Sequence, residues 1–580
     1  MTLLQAHPSS RSALPLSSAP CLDAAETTNG GAALPAAPEA GPWPSGAPPF
    51  DRTVSSRPGS DDEGGAFARG GFERPVDAPA PAPVAAVASS TTPTAREEPP
   101  AHASRTSETN QGLGATSPAA SGLEPLHALS PLDGRYAAQM APLRACFSEA
   151  ALIAARAEVE LRFLLALDPL GIFPPLSPEE LARLAHLRET FGEAECRRVK
   201  ELEATLRHDV KALELVLRER LGLRHPTMIH FGLTSEDVNN LAYSLLLSRF
   251  RDQHQVPLLR RLLGRLADLA EAGLAVPFPT RTHGQPASPS TAGKELAVFL
   301  QRLRRLLLRL TEFAFRGKCS GATGTYAAWM AADPHVDWIA FSCDFVQSLG
   351  FEWNPLTTQI EDHDGWAEFL NLTRQINNVV IDLDQDAWLW MMEGWYRQSA
   401  DPAEIGSSTM PHKVNPIRFE NSEGNLLLAN ALLGFMADKL CRSRLQRDLS
   451  DSTVTRNLGV ALGHSWLGWQ ETLAGLATLQ LDQARCLEAV RACPAVLAEP
   501  VQTMLRPVVD GDPYDRLRTL TRGRAIGLAD LAAFIDRLEV DPDLKRRLRE
   551  LRPETYLGEA VRLAASEIGE VRSLLGEVQP

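Results

Sequence analysis

The sequence predicts an all-α protein built around an elongated bundle of long helices. Apolar residues recur at intervals of three and four, the alternation typical of strands is scarce, and the long patterns contain few helix breakers. The five longest patterns cover residues 236–274, 291–316, 364–397, 417–440 and 452–480. Helices of about 25–40 residues with broad apolar faces are typical of bundles in which each helix is buried on several sides.

Composition divides the chain into a tail and three helical segments. Residues 1–122 are rich in proline, alanine, serine and glycine and contain no lysine. Such a segment cannot bury enough apolar surface to offset its chain entropy, so we predict a disordered tail. The rest is predicted to form an N-terminal helical domain (123–230), a central long-helix bundle (231–478) and a C-terminal helical domain (479–580).

The first residues of the tail, MTLLQAHPSSRSALPLSS, are rich in serine and lack acidic residues. These are features of a transit peptide, but the stretch has one arginine and lacks the continuous apolar core of a secretory signal. The sequence favours a dispensable tail, and a transit peptide is the alternative.

Overall composition excludes several classes of function. The net charge of -14 gives no electrostatic footprint for nucleic acid or anionic lipid. No run of 18 or more apolar residues occurs, so no membrane span is predicted. The eight cysteines form no CxxC pair and no zinc spacing, and scattered cysteines are typical of reduced thiols in a cytosolic protein. We therefore expect a cytoplasmic protein that holds no metal and whose partner is a small molecule or another protein.

The segment GSSTMPHKVNP, at 406–416, interrupts the helical patterns. Pro411 and Pro416 prevent a helix from running through it, and Gly406 allows backbone conformations that other residues avoid. The segment combines hydroxyl groups, backbone N–H groups that can point at an anion, and the ammonium group of Lys413. It is suited to one anionic reactant, and the alternative is a polar connection between two helices.

A histidine lies in a second irregular segment, RTHGQPASPST. His283 stands beside Gly284, between turn-forming residues at what the pattern predicts to be a helix entrance. Histidine is the natural proton donor near neutral pH, so His283 is a candidate general acid. A histidine that only ties down a turn explains the same pattern, and the sequence leaves both open.

Two predicted helix starts carry hydroxyl and charged side chains. In HFGLTSEDVNN, Thr234 and Asp237 have the spacing of a capping box, and such a helix terminus also forms an anion site. In SRLQRDLSDSTVTRNLG, Ser452 is predicted to open a helix. Arg456 lies four residues later on the same face, and Arg447 precedes both. Helix capping with solvated charges is the alternative.

These segments, with SPLDGRY and RHDV, resemble the fumarase/aspartase superfamily, whose signature is a GSSxMPxKxN loop. Within it the chain is most similar to the adenylosuccinate lyase family, on SPLDGRY, RHDV, TSEDVNN, RTHGQPA and GSSTMPHKVNP in the family's order. The resemblance covers about residues 123–575. The long N-terminal extension departs from it, as does Thr323, where the family tends to have valine.

The resemblance implies an all-α fold of the fumarase/aspartase type and a lyase that releases fumarate. The substrates would be adenylosuccinate, giving AMP, and SAICAR, giving AICAR. Such an elimination needs a base for the carbon proton, an acid for the leaving nitrogen, and donors that stabilise a carbanion. By similarity Ser407 is the base and His283 the acid. Because serine is a poor base at its free pKa, loop N–H groups and Lys413 would have to stabilise its alkoxide.

The resemblance also implies the binding residues and the assembly. The substrate carries two carboxylates and a phosphate, which require cations and helix N-termini. The family's binding positions correspond to Arg135, Tyr136, Arg207, His208, Asp209, Thr234, Ser235, Gln359, Ser408, Lys413, Val414, Asn415, Asn421, Arg447, Ser452 and Arg456. Family members are homotetramers whose active sites are each shared by three chains, and they require no cofactor or metal.

Two other functions remain as alternatives. Another fumarate-releasing lyase, such as argininosuccinate lyase, would share the chemistry, but the pairs His283–Gly284 and His412–Lys413 weigh against it. An inactive structural bundle is the alternative from a different class. It would be expected to have lost Ser407, His283 or Lys413, and all three are present.

Overall fold

A computed structural model describes residues 125–399 and 409–576 of the chain. The predicted disordered tail lies outside these residues, as do Ser407 and Ser408. Within the described part the chain is mainly helical, which confirms the predicted all-α class. No helix in that part combines the length and the apolar character that a membrane span requires.

Helices make up most of the described chain, and the few strands in it are short and form no large sheet. The N-terminal part forms α1 (Ala141–Phe147), α2 (Glu149–Leu167), α3 (Pro178–Thr190), α4 (Glu193–Leu206) and α5 (Asp209–Leu221). The central part forms α6 (Ser235–Phe250), α7 (Val256–Ala272), β1 (Pro277–Thr282), β2 (Gln285–Thr291), α8 (Ala292–Thr311), β3 (Arg316–Gly317), α9 (Ala327–Ala332), α10 (Trp338–Ser348), β4 (Glu352–Trp353), α11 (Asp364–Met392), β5 (Tyr396–Gln398), α12 (Ile417–Leu440), α13 (Ser450–Thr455), α14 (Leu458–Thr478) and β6 (Leu479–Leu481). The C-terminal part forms α15 (Gln483–Arg491), α16 (Ala498–Leu505), α17 (Pro513–Thr521), α18 (Leu528–Asp536), α19 (Pro542–Glu550) and α20 (Ala560–Leu575).

Three long helices, α11, α12 and α14, pack against one another in the centre of the bundle. Two glycines of α14 permit this close approach. A Cβ atom at Gly468 would lie 2.5 Å from the Cγ atom of Leu426, and one at Gly475 would lie 2.8 Å from the Cζ atom of Phe419. Both partners belong to α12, so any larger side chain at these glycines would push the two helices apart.

Two of the predicted long helices are interrupted. A π-helical turn, Arg251–Gln255, separates α6 from α7 within the predicted helix 236–274. The predicted helix 452–480 is divided into α13 and α14. The prediction that Ser452 opens a helix is therefore wrong. α13 begins at Ser450, directly after Leu449, and the backbone N–H of Ser450 donates to the Asp448 carboxylate at 2.9 Å.

The strands form three two-stranded pairs, and the longest pair is an antiparallel hairpin of β1 and β2. The prediction that His283 lies at a helix entrance is wrong, because His283 and Gly284 form the turn of this hairpin. Their φ angles are 53° and 72°, both in the left-handed region. A two-residue turn with both residues left-handed matches the twist of a hairpin, which explains the glycine.

The apolar core has one large cluster in the bundle and two smaller ones. One small cluster lies among α2, α3 and α5 and includes Leu161, Leu184 and Leu217. The other lies among the C-terminal helices and includes Val501 and Leu531. The last helix, α20, packs on α7 and α8 of the bundle. The domain boundaries proposed from composition stay predictions.

Candidate active site

The segment RHDV joins α4 to α5 and supplies three of the predicted binding residues. Arg207 ends α4 in the left-handed conformation, with φ 55°. His208 caps α5, since its Nδ1 atom accepts the backbone N–H of Lys211 at 3.1 Å. Asp209 is the first residue of α5. The turn between the two helices therefore places Asp209 at a helix N-terminus, where the helix dipole favours negative charge.

Asp209 is held by two arginines. Its Oδ2 atom accepts from Arg156 at 2.9 Å and from Arg456 at 3.0 Å. Burial would raise the pKa of Asp209, but the two guanidinium groups and the backbone N–H of Val210 lower that pKa to about 2. Asp209 is therefore an anion at physiological pH, and it fixes Arg456, which also donates to Glu149 at 2.8 Å.

Arg447 joins this group through side chains that the sequence analysis missed. Its NH2 atom lies 2.7 Å from Glu236, Asn239 donates to Glu236 at 2.6 Å, and Arg156 donates to Asn239 at 2.8 Å. We refer to these residues together as the Asp209 cluster, which comprises Asp209, Arg447, Arg456, Arg156, Glu236 and Asn239.

The start of α6 adjoins this cluster and confirms the predicted capping interaction. The backbone N–H of Thr234 donates to the Asp237 carboxylate at 2.9 Å. Asp237 also forms an ion pair with Lys318 at 2.9 Å, and both side chains are fully buried. The backbone N–H of Ser320 donates to the same carboxylate at 2.9 Å. Removal of either charge would leave the other buried and unpaired, so this pair holds Thr234 and Ser235 rigidly in place.

Gln359 lies near the same helix start. Its side-chain amide donates to the carbonyl of Ala322 at 3.0 Å, in the loop that Lys318 and Ser320 anchor to α6. Thr323, which departs from the family pattern, is exposed in that loop, and its hydroxyl lies 3.0 Å from that of Thr325.

A second group contains Tyr136 and Asn421. The Tyr136 hydroxyl donates to Asn421 Oδ1 at 3.2 Å, and Asn425 donates to the same oxygen at 3.0 Å. His464 Nδ1 lies 2.9 Å from Asn425 Oδ1, and burial lowers the pKa of His464. The guanidinium of Arg135 lies 5.8 Å from the centre of the Tyr136 ring. The segment before α1 is thereby fixed to α12 and α14.

The described part of the signature loop is exposed. Lys413 and Val414 are exposed, Asn415 is half-buried, and the backbone N–H of Lys413 donates to the carbonyl of Met410 at 3.1 Å. α12 begins directly afterwards, at Ile417. Because Ser407 and Ser408 lie outside the described residues, their predicted roles stay predictions.

His283 lies at the exposed turn of the β1–β2 hairpin. In the described residues, no hydrogen bond or ion pair connects it to the Asp209 cluster. The hairpin itself is anchored, because Arg281 pairs with Glu393 at 3.1 Å and Ser288 donates to Glu499. A histidine held in a left-handed conformation on an anchored hairpin is presented outwards, where it can meet a group from another molecule.

Glu361 is a further buried acid near Gln359. It accepts from the side chain of Asn354 at 2.9 Å and from the backbone N–H of His363 at 2.8 Å. Burial, with the neighbouring carboxylate of Asp362, raises the pKa of Glu361 to about 7. The folded protein therefore binds this proton more tightly than the unfolded chain does.

The substitution Glu361→Gln is expected to change the pH dependence of stability. The stabilisation from a raised pKa is complete below the unfolded pKa of about 4.3 and is lost as pH rises through about 7. Relative to wild type, the variant should gain about 3 kcal/mol between pH 4 and pH 8, since it has no proton to lose. Calorimetric melting curves across this range measure the difference. Glu352→Gln, at an exposed position, is the control, and parallel curves for Glu361→Gln and wild type would refute the assignment.

The structure thus brings together many of the predicted binding residues. Those at or beside the Asp209 cluster are Arg207, His208, Asp209, Thr234, Ser235, Arg447, Ser452 and Arg456, whereas Gln359 contacts the loop at Ala322. Tyr136 and Asn421 form the second group, and His283 is separate from both. Among the described residues, no group of three or more histidine, cysteine or acidic side chains is placed to hold a metal ion.

Solved structures similar to this chain define its fold class. A fumarate lyase from Mesorhizobium sp. BNC1 matches with a TM-score of 0.61 and 21% identity, covering 74% of this chain and 97% of its own. A 3-carboxy-cis,cis-muconate lactonizing enzyme from Pseudomonas putida matches with a TM-score of 0.60, 21% identity and the same coverage. At this identity the likeness concerns the fold alone, and the chain has the fold of the fumarate lyases.

Sequence comparisons identify the family of this chain within that fold class. A lyase family model matches residues 142–431, and an adenylosuccinate lyase C-terminal model matches residues 443–557. The chain is 45% identical to the adenylosuccinate lyase of Haemophilus influenzae over 449 residues, which are 76% of this chain and 98% of the relative. It is 43% identical to that of Escherichia coli K12 over 448 residues, with the same coverage.

The chain therefore belongs to the adenylosuccinate lyase family. It is a fumarate-eliminating lyase, which confirms the family and the enzyme class predicted from the sequence.

Proposed function

We propose that the protein eliminates fumarate from adenylosuccinate to give AMP, and from SAICAR to give AICAR, in purine nucleotide synthesis. In this proposal Ser407 removes the carbon proton and His283 protonates the leaving nitrogen. The observation that carries the proposal is the Asp209 cluster, which gathers two arginines of the predicted site beside the N-termini of α5 and α6. Such a surface fits a substrate that carries two carboxylates and a phosphate.

Each part of the described site has a task in this reaction. Arg447 and Arg456 bind anionic groups of the substrate, and the N–H groups at the start of α6, with the Thr234 and Ser235 hydroxyls, add further donors. Lys413 and Asn415 hold the signature loop against the substrate, and Tyr136 and Asn421 border the opposite side. The negative charge that develops in the transition state spreads onto a carboxylate, so hydrogen-bond donors placed at that carboxylate would stabilise it.

We further propose a cytoplasmic homotetramer with active sites shared between chains. Large apolar side chains are exposed along α11 and α12, including Met392 (61%), Leu428 (55%) and Phe435 (57%). A face of this kind on two central helices is typical of a surface that packs against another subunit. In the described residues no hydrogen bond or ion pair joins His283 to the Asp209 cluster, which also supports sharing, since a second copy could supply the histidine.

The substitution Phe435→Asp is expected to dissociate the assembly and remove activity. A carboxylate placed in an apolar interface must be desolvated without a partner, which costs several kcal/mol. Light scattering measures the mass and a fumarate assay the activity. Leu563→Asp changes an equally exposed side chain (57%) on α20 and is the control. An active Phe435→Asp tetramer would exclude this face from the interface.

The first test of the proposed function is fumarate release from adenylosuccinate and, in parallel, from argininosuccinate. Release from adenylosuccinate alone is the expected result. Release from argininosuccinate alone would overturn the substrate but leave the elimination chemistry intact. A folded oligomer that releases fumarate from neither substrate would overturn the proposal.

A further inference from the structure

The Asp209 cluster contains three side chains with no assigned role, and they connect the residues that have one. Glu236, Asn239 and Arg156, which we call the inner row, form an unbroken chain of hydrogen bonds. Arg447 lies 2.7 Å from Glu236 at one end, and Asp209 accepts from Arg156 at 2.9 Å at the other. The two links within the row measure 2.6 Å and 2.8 Å.

Burial distinguishes the two charged members of the inner row from Arg447 and Arg456, whereas Asn239 is half-buried. Glu236 and Arg156 are 4% and 3% exposed. The side chains of Arg447 and Arg456 are 19% and 38% exposed, so they can reach a ligand. A buried, charged row pays a large desolvation cost, which hydrogen bonds at both ends offset.

The hydrogen bonding of Arg447 leaves a donor for a ligand. Glu236 engages its NH2 atom, and Asp451 lies 4.0 Å from the same atom. Its Nε atom is buried and has no hydrogen-bond partner in the described chain. A buried N–H group without a partner is costly and uncommon, and an anion placed beside it would remove that cost.

We propose that the inner row positions Arg447 and, through Asp209, Arg456, so that both guanidinium groups face one anionic part of the substrate. This inference rests on the proposed function, in which those arginines bind substrate. Glu236 is the key positioning residue. Its carboxylate fixes the Arg447 side chain before the substrate arrives, so less rotamer freedom is lost on binding. Asn239 in turn holds Arg156, and Arg156 holds Asp209.

The test compares Glu236→Gln with wild type in steady-state kinetics and in calorimetric binding. KM for adenylosuccinate is expected to rise about tenfold while kcat changes less than about threefold, because the row acts on binding of ground state and transition state alike. The dissociation constant of AMP or of fumarate should rise by a similar factor. Weaker binding of AMP by Glu236→Gln would indicate that Arg447 binds the phosphate of the substrate. Weaker binding of fumarate would indicate that Arg447 binds a carboxylate.

Two further variants separate positioning from a structural role. Glu201→Gln removes an exposed partner of Arg198 outside the cluster and should leave KM unchanged. Asn239→Leu should reproduce the rise in KM, and combining it with Glu236→Gln should add little, since both break one row. A Glu236→Gln enzyme whose KM and binding constants stay within about twofold of wild type would overturn the proposal. So would a fall in kcat with unchanged KM.

Refutation of the inner row can be distinguished from refutation of the proposed function. If wild type releases no fumarate from adenylosuccinate, the proposed function fails, whereas AMP and fumarate binding still report on the row. If wild type is active and Glu236→Gln binds and reacts as wild type does, only the inner row is refuted.

Discussion

Ser407→Ala is expected to lower kcat for fumarate release by a factor of about 10³ or more, with little change in KM. The proposed reaction begins with removal of a proton from a carbon atom beside a carboxylate. That proton is weakly acidic, so the reaction depends on a strong base placed in contact with it. Alanine cannot accept the proton, and water in its place would be a weaker and poorly positioned base. Steady-state kinetics on the purified oligomer measures the loss.

The neighbouring serine provides the matched control for this prediction. Ser408 belongs to the same loop and is predicted to bind substrate rather than to accept the proton. Ser408→Ala should therefore raise KM and retain most of kcat. Circular dichroism and light scattering establish that both variants remain folded and assembled. Turnover of Ser407→Ala within about tenfold of wild type would remove Ser407 from the role of base.

Local signals in the sequence were sufficient for most of the helices. The pattern at 417–440 coincides with α12, since Pro416 marks its start and apolar spacing continues to its end. Ser148 stands directly before the apolar pattern of α2 and caps that helix, since its hydroxyl accepts the N–H of Ala151 at 3.2 Å. Such features depend on residues within one or two helical turns, so a sequence pattern contains them in full.

Features that depend on distant residues were not predicted. Glu236 is an acidic residue in the first turn of α6, and the pattern around it indicates only capping. Its role follows from Arg447, which lies far away along the chain. Glu361 likewise owes its raised pKa to burial, which no local pattern reveals. The motif resemblance found Arg447, but it gave no indication of what holds that arginine.

The turn at His283 shows a different cause of error. The turn-forming residues around the histidine predict a helix entrance, although His-Gly between two extended segments also suits a hairpin turn. The hairpin changes the functional argument, because among the described residues no hydrogen bond or ion pair joins His283, at its turn, to the Asp209 cluster of the same chain. This supports the proposal that each active site draws His283 and the Asp209 cluster from different copies.

His283→Ala is accordingly expected to lower kcat by a factor of about 10²–10⁴, and the activity should return on mixing with Ser407→Ala. Each variant alone lacks one catalytic group in every active site. If each site takes His283 and Ser407 from different chains, mixed oligomers contain some sites with neither substitution. Random mixing of equal amounts should restore about a quarter of wild-type activity. Dissociation and reassembly of the two variants, followed by a fumarate assay, measures the recovery.

The control for this mixing experiment is the double variant, with both substitutions in one chain, mixed with wild type. In that mixture a site is intact only when both His283 and Ser407 come from wild-type chains. The activity of the mixture should therefore not exceed the activity of the wild-type protein that it contains. If His283→Ala and Ser407→Ala recover nothing when mixed, although mass measurements show mixed oligomers, the two groups come from the same chain.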